Sequence, residues 1–265
     1  MSHCKVILYA DRTIQKVEDI ASQLEEGLCD VVDFVKNEDE CSLAIAIGGD
    51  GTLINHGRTL AKHKIPLVGV NSGRLGFIAK FDAESLIRHR KVIFSHDRAS
   101  MEVILLEVGV NDASPITAMN EAMVASGNPF RILELGLSIN DIPAPTLRGD
   151  GVLVSTPIGS TAHNVSVGGP IVDPSANAFV LTPLAAHSLA VRPIVLDAHN
   201  KVSIEVLRAN KGTSLVVDGQ VHCTLNIGDT IRVQQSSQSL SIVLNPSVTY
   251  WNTLVDKLHW AAHPG

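Results

Sequence analysis

The stretch Ala44-Ile45-Ala46-Ile47-Gly48-Gly49-Asp50-Gly51-Thr52-Leu53-Ile54-Asn55 decides how this chain is read. Its first half is an apolar run, the pattern of a buried strand. It stops at three glycines enclosing one carboxylate, and a helical pattern follows from Thr52 to about His63. Glycines at such a turn let the backbone approach a ligand closely. The first N–H groups of the helix lack intrahelical partners and suit a phosphate. Asp50 is the discordant residue, because a carboxylate repels phosphate unless a metal or a proton transfer gives it a task. The plainer reading is a strand–helix turn with Asp50 as helix cap.

Outward from this turn the N-terminal part alternates strands and helices. Lys5 to Ala10, Val31 to Val35, Ser42 to Ile47 and Ile65 to Val70 read as buried strands, with Pro66 at a strand start. Val17, Ile20, Ala21, Leu24 and Leu28 recur at helical spacing, with Asp11 as candidate cap. Asp82 is a candidate cap for a helix over residues 83–89. The alternation predicts an α/β domain with a parallel sheet covered on both faces. Ligands of such sheets bind at the carboxyl ends of the strands. The turn at Gly48 and the loop Asn71-Ser72-Gly73-Arg74-Leu75-Gly76-Phe77 both lie there.

From Met101 onward the period is mostly two, as in Leu133, Leu135, Leu137 and Ile139, which end at a turn at Asn140-Asp141. A β-rich domain is therefore expected over residues 97–245, after an α/β domain over residues 1–96. Asn245-Pro246-Ser247 stops the β pattern, and Tyr250, Leu254 and Leu258, with Trp251 and Val255, give a last helix an apolar face. That helix, within residues 246–265, is expected to return to the first domain.

Composition narrows the class. With 265 residues the chain needs no disulfide or metal for stability. Hydrophobic content of 45% with only 4% aromatic residues makes the core aliphatic. A net charge of −6 and no basic stripe argue against nucleic acid as partner. Cys4, Cys29, Cys41 and Cys223 form no C-x-x-C pair and are expected to be buried reduced thiols. No signal-like segment precedes the first strand, and no apolar run approaches the ~18 residues of a membrane span. A cytoplasmic protein without membrane contact is the expectation.

Two further clusters carry candidate chemistry. Arg148-Gly149-Asp150-Gly151 leads into Ser155-Thr156-Pro157-Ile158-Gly159-Ser160-Thr161-Ala162, followed by Ser166, Gly168 and Gly169. Its hydroxyls at Ser155, Thr156, Ser160 and Thr161 are candidate donors to a sugar or phosphate, or simply cap the turn. The other is Val217-Asp218-Gly219-Gln220.

In this order the clusters resemble the NAD kinase family. The resemblance rests on Gly48-Gly49-Asp50-Gly51-Thr52, Asn71-x-Gly-x-Leu75-Gly76-Phe77, Asn120-Glu121, Asp150-Gly151 and Ser155-Thr156-Pro157-x-Gly159-Ser160-Thr161-Ala162. It continues through Ser166-x-Gly168-Gly169-Pro170, His187-Ser188-Leu189-x-x-Arg192-Pro193, Val217-Asp218-Gly219-Gln220 and Lys257-Leu258-His259-Trp260. The family pairs an α/β domain with a β-rich one. It transfers the γ-phosphate of a nucleoside triphosphate to the 2′-hydroxyl of the adenosine ribose of NAD, giving NADP. The resemblance implies ATP or polyphosphate as donor, Mg²⁺ or another divalent metal without assigned ligands, and a homodimer or homotetramer. By the same resemblance Asp50 is the general base, and Gly49, Gly51 and Thr52 receive phosphates. No lysine adjoins the turn in sequence, so metal is the expected neutraliser.

Asn120 and Glu121 are implied to hold the NAD adenosine, where Asn120-Glu121 alone reads as a solvated turn. Asp150, Ser160, Thr161, Ala162 and Ser166 are implied to surround the second nucleoside, and Asn71, Phe77 and Arg148 join the nucleotide-binding set. His163 stands where the family usually has Tyr, which leaves affinity and the NAD-versus-NADH preference open. His187 and Arg192 are expected to tie strands together. Lipid kinases and phosphofructokinases share the glycine-rich phosphate turn. The polar third cluster favours a nucleotide acceptor over a lipid, and few Arg or Lys lie near the clusters for a sugar phosphate. A non-catalytic NAD-binding regulator would have no use for Asp50.

Overall fold

A computed structural model describes residues 3–129, 131–188 and 190–261. Met1, Ser2, Phe130, Leu189 of the His187-to-Pro193 motif and residues 262–265 lie outside the described residues. The chain forms two compact units, Met1–Glu102 with Leu240–Gly265, and Val103–Ser239.

The first unit contains β1 (Cys4–Tyr9), α1 (Gln15–Gly27), β2 (Val32–Val35), β3 (Leu43–Gly48), α2 (Asp50–His63), β4 (Leu67–Asn71), α3 (Ala83–Arg88) and α4 (Arg90–Ile93). Its strands pair in parallel in the order β2-β1-β3-β4. Every residue of β3 and β4 is buried, which is why both read as continuous apolar runs. Leu43, Ile45 and Ile47 share a core with Val17, Ala21 and Leu24 of α1 and with Phe81 and Leu86. Each such fully buried side chain contributes about 1.5–3 kcal/mol.

Helix starts follow local chemistry. Asp82 caps α3, accepting the Ser85 N–H at 2.7 Å while the Ser85 hydroxyl accepts the Asp82 N–H at 3.1 Å. Asp11 does not cap α1. Its carboxylate takes the N–H and hydroxyl of Thr13, and the helix starts three residues beyond Asp11 at a cap position held by Ile14 without a side-chain bond. α2 begins at Asp50 rather than Thr52, so the carboxylate sits in the first turn and does not cap the helix.

The second unit follows with β5 (Ser100–Val110), which starts in the first unit, β6 (Ile116–Ala118), β7 (Glu121–Ala125), β8 (Leu133–Ile139), β9 (Ile142–Gly149), β10 (Gly151–Ser155) and the short α5 (His163–Ser166). Then come β11 (Ala178–Leu184), β12 (Ile194–Asp197), β13 (Val202–Arg208), β14 (Ser214–Val217), β15 (Gln220–Thr224) and β16 (Thr230–Val243). One antiparallel sheet runs β12-β11-β10-β7-β14-β15. β9, β8, β13 and the start of β16 form another antiparallel array. The two share one aliphatic core, including Val124, Leu135, Val152, Val154, Ile204, Leu215 and Ile231. The turn at Asn140-Asp141 has φ values of 51° and 62°, the paired positive angles of a two-residue hairpin.

The end of β16 belongs to the first unit, where Ile242 pairs in parallel with Leu67. The last helix, α6 (Tyr250–Leu258), packs there too: Asn245 donates to the Lys80 carbonyl at 2.8 Å, and the Tyr250 ring lies 6.5 Å from that of Phe77. The return of this helix was expected, but its buried face is narrower than its apolar pattern. Leu254 is buried, whereas Trp251 and Val255 are 60% and 43% exposed. The thiols also differ from expectation. Cys29 is exposed and Cys4, Cys41 and Cys223 are half-buried, all of them free.

Candidate functional site

In the first unit the site is built from two loops at neighbouring strand ends. β3 and β4 are adjacent and in register through Gly48 and Asn71, so the turn after one faces the loop after the other. The second loop closes on itself. Asn71 bonds Phe81 through both its backbone N–H and its side-chain amide, at 2.8 and 2.7 Å, and the Phe81 N–H returns to the Gly69 carbonyl. Asn71 is buried, and its amide closes the loop.

This closed loop presents consecutive N–H groups to Asp50. Oδ2 accepts the Phe77 N–H at 2.9 Å, and Oδ1 accepts those of Ile78 and Ala79 at 3.1 Å. Gly76 makes the approach possible, since a Cβ there would overlap the Asp50 carboxyl group. The carboxylate is thus held in one orientation and retains one lone-pair site, on Oδ2, for another donor. Gly49, Gly51 and Thr52 are exposed, and a Cβ added at either glycine would meet nothing within 4 Å. The turn is therefore open around both glycines, as a phosphate site requires, while the Thr52 N–H donates to the Gly49 carbonyl at 3.0 Å.

The absence of a lysine holds only in sequence. Lys80, one residue beyond the N–H groups that hold Asp50, is just 5% exposed and interacts electrostatically with that carboxylate. Burial pulls its pKa down from the ordinary lysine value, and Asp50 partly holds it up.

In the second unit Asn120 and Glu121 stand at the start of β7. They do not form a solvated turn: both are buried. Asp218, in the turn between β14 and β15, accepts the N–H groups of Met119, Asn120 and Glu121. From the other side Thr156 donates its N–H to the Asn120 carbonyl and its hydroxyl to the Met119 carbonyl at 2.8 and 2.7 Å. Gly159 is pressed so closely on the Asn120 backbone that a Cβ would overlap it. With the backbone clamped, Asn120 Oδ1 and Glu121 Oε2 are buried without a hydrogen-bond partner. Such atoms are uncommon and point to a missing ligand or water. Burial, reinforced by Asp218, pushes the Glu121 pKa up to about 7.

The third cluster does not offer all its hydroxyls outward as expected. Ser155, Thr156 and Ser160 are fully buried. Ser155 donates to the Thr156 carbonyl, and Ser160 donates to the Pro157 carbonyl and accepts the Val172 N–H. These hydroxyls hold the turn because the tight chain reversal leaves backbone groups that the strands do not satisfy. Thr161 and Ala162 are half-buried, while Asp150, His163 and Ser166 are exposed. Asn164, unremarked in the sequence, locks the segment by donating to Ser160 and Pro170 and accepting the Thr182 hydroxyl at 2.6 Å. Its burial has no local signal, because its partners lie on both sides of the chain.

Arg148 is 63% exposed and lies 3.2 Å from Glu134 on the adjacent strand. The His187 N–H donates to the Arg148 carbonyl at 2.8 Å, and the side chains of His187 and Arg192 are exposed. Arg192, Ser188 and Val191 line a cleft of about 240 Å³ with Val167, Pro183 and Pro193.

Comparison with known proteins agrees with this organisation. Residues 9–97 match the ATP-NAD kinase N-terminal domain, and residues 119–245 match the ATP-NAD kinase C-terminal domain. The chain is 36% identical over 229 residues to the NAD kinase of Rhodopirellula baltica, covering 85% of this chain and 74% of the relative. It is 38% identical over 231 residues to that of Cupriavidus pinatubonensis, covering 85% and 75%. In fold it is similar to yeast NADH kinase complexed with NADH, with a TM-score of 0.86, 20% identity and coverage of 99% and 89%. It also resembles an NAD kinase from Archaeoglobus fulgidus in complex with ATP, with a TM-score of 0.73, 24% identity and coverage of 97% and 99%. Two family domains in order and these levels of identity place the chain in the NAD kinase family of phosphotransferases.

Proposed function

We propose that this chain transfers the γ-phosphate of ATP to the 2′-hydroxyl of the adenosine ribose of NAD, forming NADP, with Asp50 as general base. The observation that carries the reading is the pair of buried atoms without partners, Asn120 Oδ1 and Glu121 Oε2, on a backbone clamped from both sides. An adenosine supplies what they lack: amino and hydroxyl donors for Asn120, and a ribose hydroxyl for Glu121. With a pKa of about 7, Glu121 takes part as acceptor or donor near neutrality.

Phosphoryl transfer passes through a loose transition state, so positioning and charge neutralisation do most of the work. The Gly49-Gly51-Thr52 turn receives the oligophosphate at the start of α2. Asp50 accepts the proton of the 2′-hydroxyl as its oxygen attacks the γ-phosphorus, and ADP leaves. Three backbone donors fix which lone pair of Asp50 is presented. Thr161, Ala162, His163, Ser166, Asp150 and Arg148 contribute to the second nucleoside, with Ser160 shaping the turn that carries them.

Among the described residues no group of three or more His, Cys, Asp or Glu side chains is placed to hold a metal ion. Mg²⁺ in this reading arrives on the phosphates of ATP as part of the substrate. Polyphosphate is the alternative donor, since the exposed glycine turn suits phosphate oxygens and offers nothing specific to a base. A homodimeric or homotetrameric state follows from the family resemblance alone, and cytoplasmic location from the cysteine usage and the N-terminal sequence; no helix among the described residues is long and apolar enough to cross a membrane.

The test is an assay for NADP formation with ATP or polyphosphate as donor and NAD or NADH as acceptor, with Mg²⁺ and with chelator. NADP from ATP and NAD is the expected result. Failure of every pair to give a 2′-phosphorylated product rejects the proposal.

A further inference from the structure

A buried lysine needs a reason. Transfer of an ammonium group out of water is costly unless it is paired, and this cluster keeps one within the first unit. Lys80 follows directly on Phe77, Ile78 and Ala79, whose N–H groups hold Asp50. Its position is set independently of its charge. The backbone carbonyl accepts the Asn245 amide at 2.8 Å, and its N–H donates to Ile78. The ammonium lies 5.8 Å from the Tyr250 ring centroid, within range of a cation–π attraction. The titratable groups that bear on it are Asp50 from α2 and the Tyr250 phenol from α6, while Asn245 adds only a neutral amide.

We propose that Lys80 is a positioning residue for phosphoryl transfer: its ammonium is the fixed positive charge that offsets the repulsion between the Asp50 carboxylate and the incoming oligophosphate. This inference rests on the assignment of Asp50 as base. It resolves the conflict in the glycine turn, where an anion is required beside an anionic substrate. The backbone donors that hold Asp50 orient it but carry no net charge. Lys80 adds that charge from the residue that directly follows the loop holding the carboxylate, and it is packed away from water, so screening is weak. Because burial lowers its pKa, the ammonium loses its proton at a lower pH than an exposed lysine. Activity then falls on the alkaline side as the charge is lost.

The variants K80M, K80R and D50N separate the possibilities, each read by thermal melting, kcat and KM for ATP and NAD, and the pH profile of kcat. K80M removes the charge while keeping an unbranched stem, so its melting temperature is expected at or above that of the parent. Its kcat is expected to fall roughly 10- to 100-fold, the scale of one lost charge–charge interaction at intermediate dielectric. KM for NAD stays within twofold and the alkaline limb disappears. K80R, charged at all working pH values, recovers most of the rate and moves the alkaline limb upward. A K80M protein with kcat within twofold of the parent and the same alkaline limb overturns the inference. So does a loss of melting temperature that accounts for the whole loss of rate. If D50N keeps its turnover, the base assignment fails and the role of Lys80 fails with it. If D50N is inactive and K80M is normal, only the role of Lys80 fails.

Discussion

The carboxylate of Asp218 sits directly under the backbone of Asn120: one oxygen accepts the Asn120 N–H at 2.7 Å and those of Met119 and Glu121 at 3.1 Å. The turn between β14 and β15 therefore sets the direction of two side chains nearly a hundred residues earlier. Asp218 reaches this position with φ of 47°, beside Gly219 at 77°.

Removing that acceptor is expected to loosen the proposed NAD site before anything else. D218A leaves buried N–H groups unpaired and is expected to lower stability by about 1–3 kcal/mol. KM for NAD rises while KM for ATP stays close to the parent value. Chemical denaturation and steady-state kinetics measure both, and an unchanged KM for NAD would show that Asp218 does not position the pair.

Glu121 couples pH to stability with a definite sign. Its folded pKa of about 7 lies above its ordinary value of 4.5, so between these values the folded chain holds the proton that the unfolded chain has released. Its contribution is fully present below about pH 4.5 and is lost as pH rises through about 7, by at most ~3.5 kcal/mol at about 1.4 kcal/mol per pKa unit. E121Q removes this dependence. Denaturation midpoints of parent and variant across pH 4–8 are expected to converge in acid and diverge toward neutrality, with the variant more stable. Parallel pH curves would rule the effect out.

Asp50 is expected to matter for turnover rather than for binding. D50N cannot take a proton, and its amide NH2 faces a backbone N–H that the carboxylate accepted, so kcat is expected to fall by ~10²–10⁴ while nucleotide Kd values change little. G76A tests the support of the carboxylate, because the added methyl group overlaps it. Its kcat is expected to fall well over tenfold, and normal kinetics would mean that the orientation of Asp50 is unimportant.

His163 is exposed at the start of α5, so its ring can be exchanged without disturbing the core. H163Y is expected to fold normally and stay active, with tighter dinucleotide binding from a larger stacking face. An inactive H163Y of normal melting temperature would assign the imidazole a specific chemical role.

Much of this molecule was legible in its chain because local periodicity carries the information. The apolar run of β3, the helical spacing after Gln15 and the alternation through β8 each report which faces are buried, and the glycines fall where strands end. Where burial did not follow periodicity, the expectation failed. Trp251 and Val255 share the apolar pattern of α6 yet stay exposed, because only the stripe through Leu254 meets the first unit. The hydroxyls of Ser155, Thr156 and Ser160 have the composition of a sugar site, but a tight chain reversal recruits them to its own backbone.

By itself the sequence determined the alternation of elements, the placement of the glycine turns at strand ends and membership of a family. Only the tertiary structure decided the charge and hydration of the groups at the site. It buries Lys80 beside the loop that holds Asp50, strips water from Asn120 and Glu121, and sets Asp218 beneath them. The reason is physical. Backbone hydrogen bonding and facial periodicity depend on neighbours within a few positions. The cost of a buried polar atom depends on whichever distant residues exclude its water and answer its hydrogen bonds.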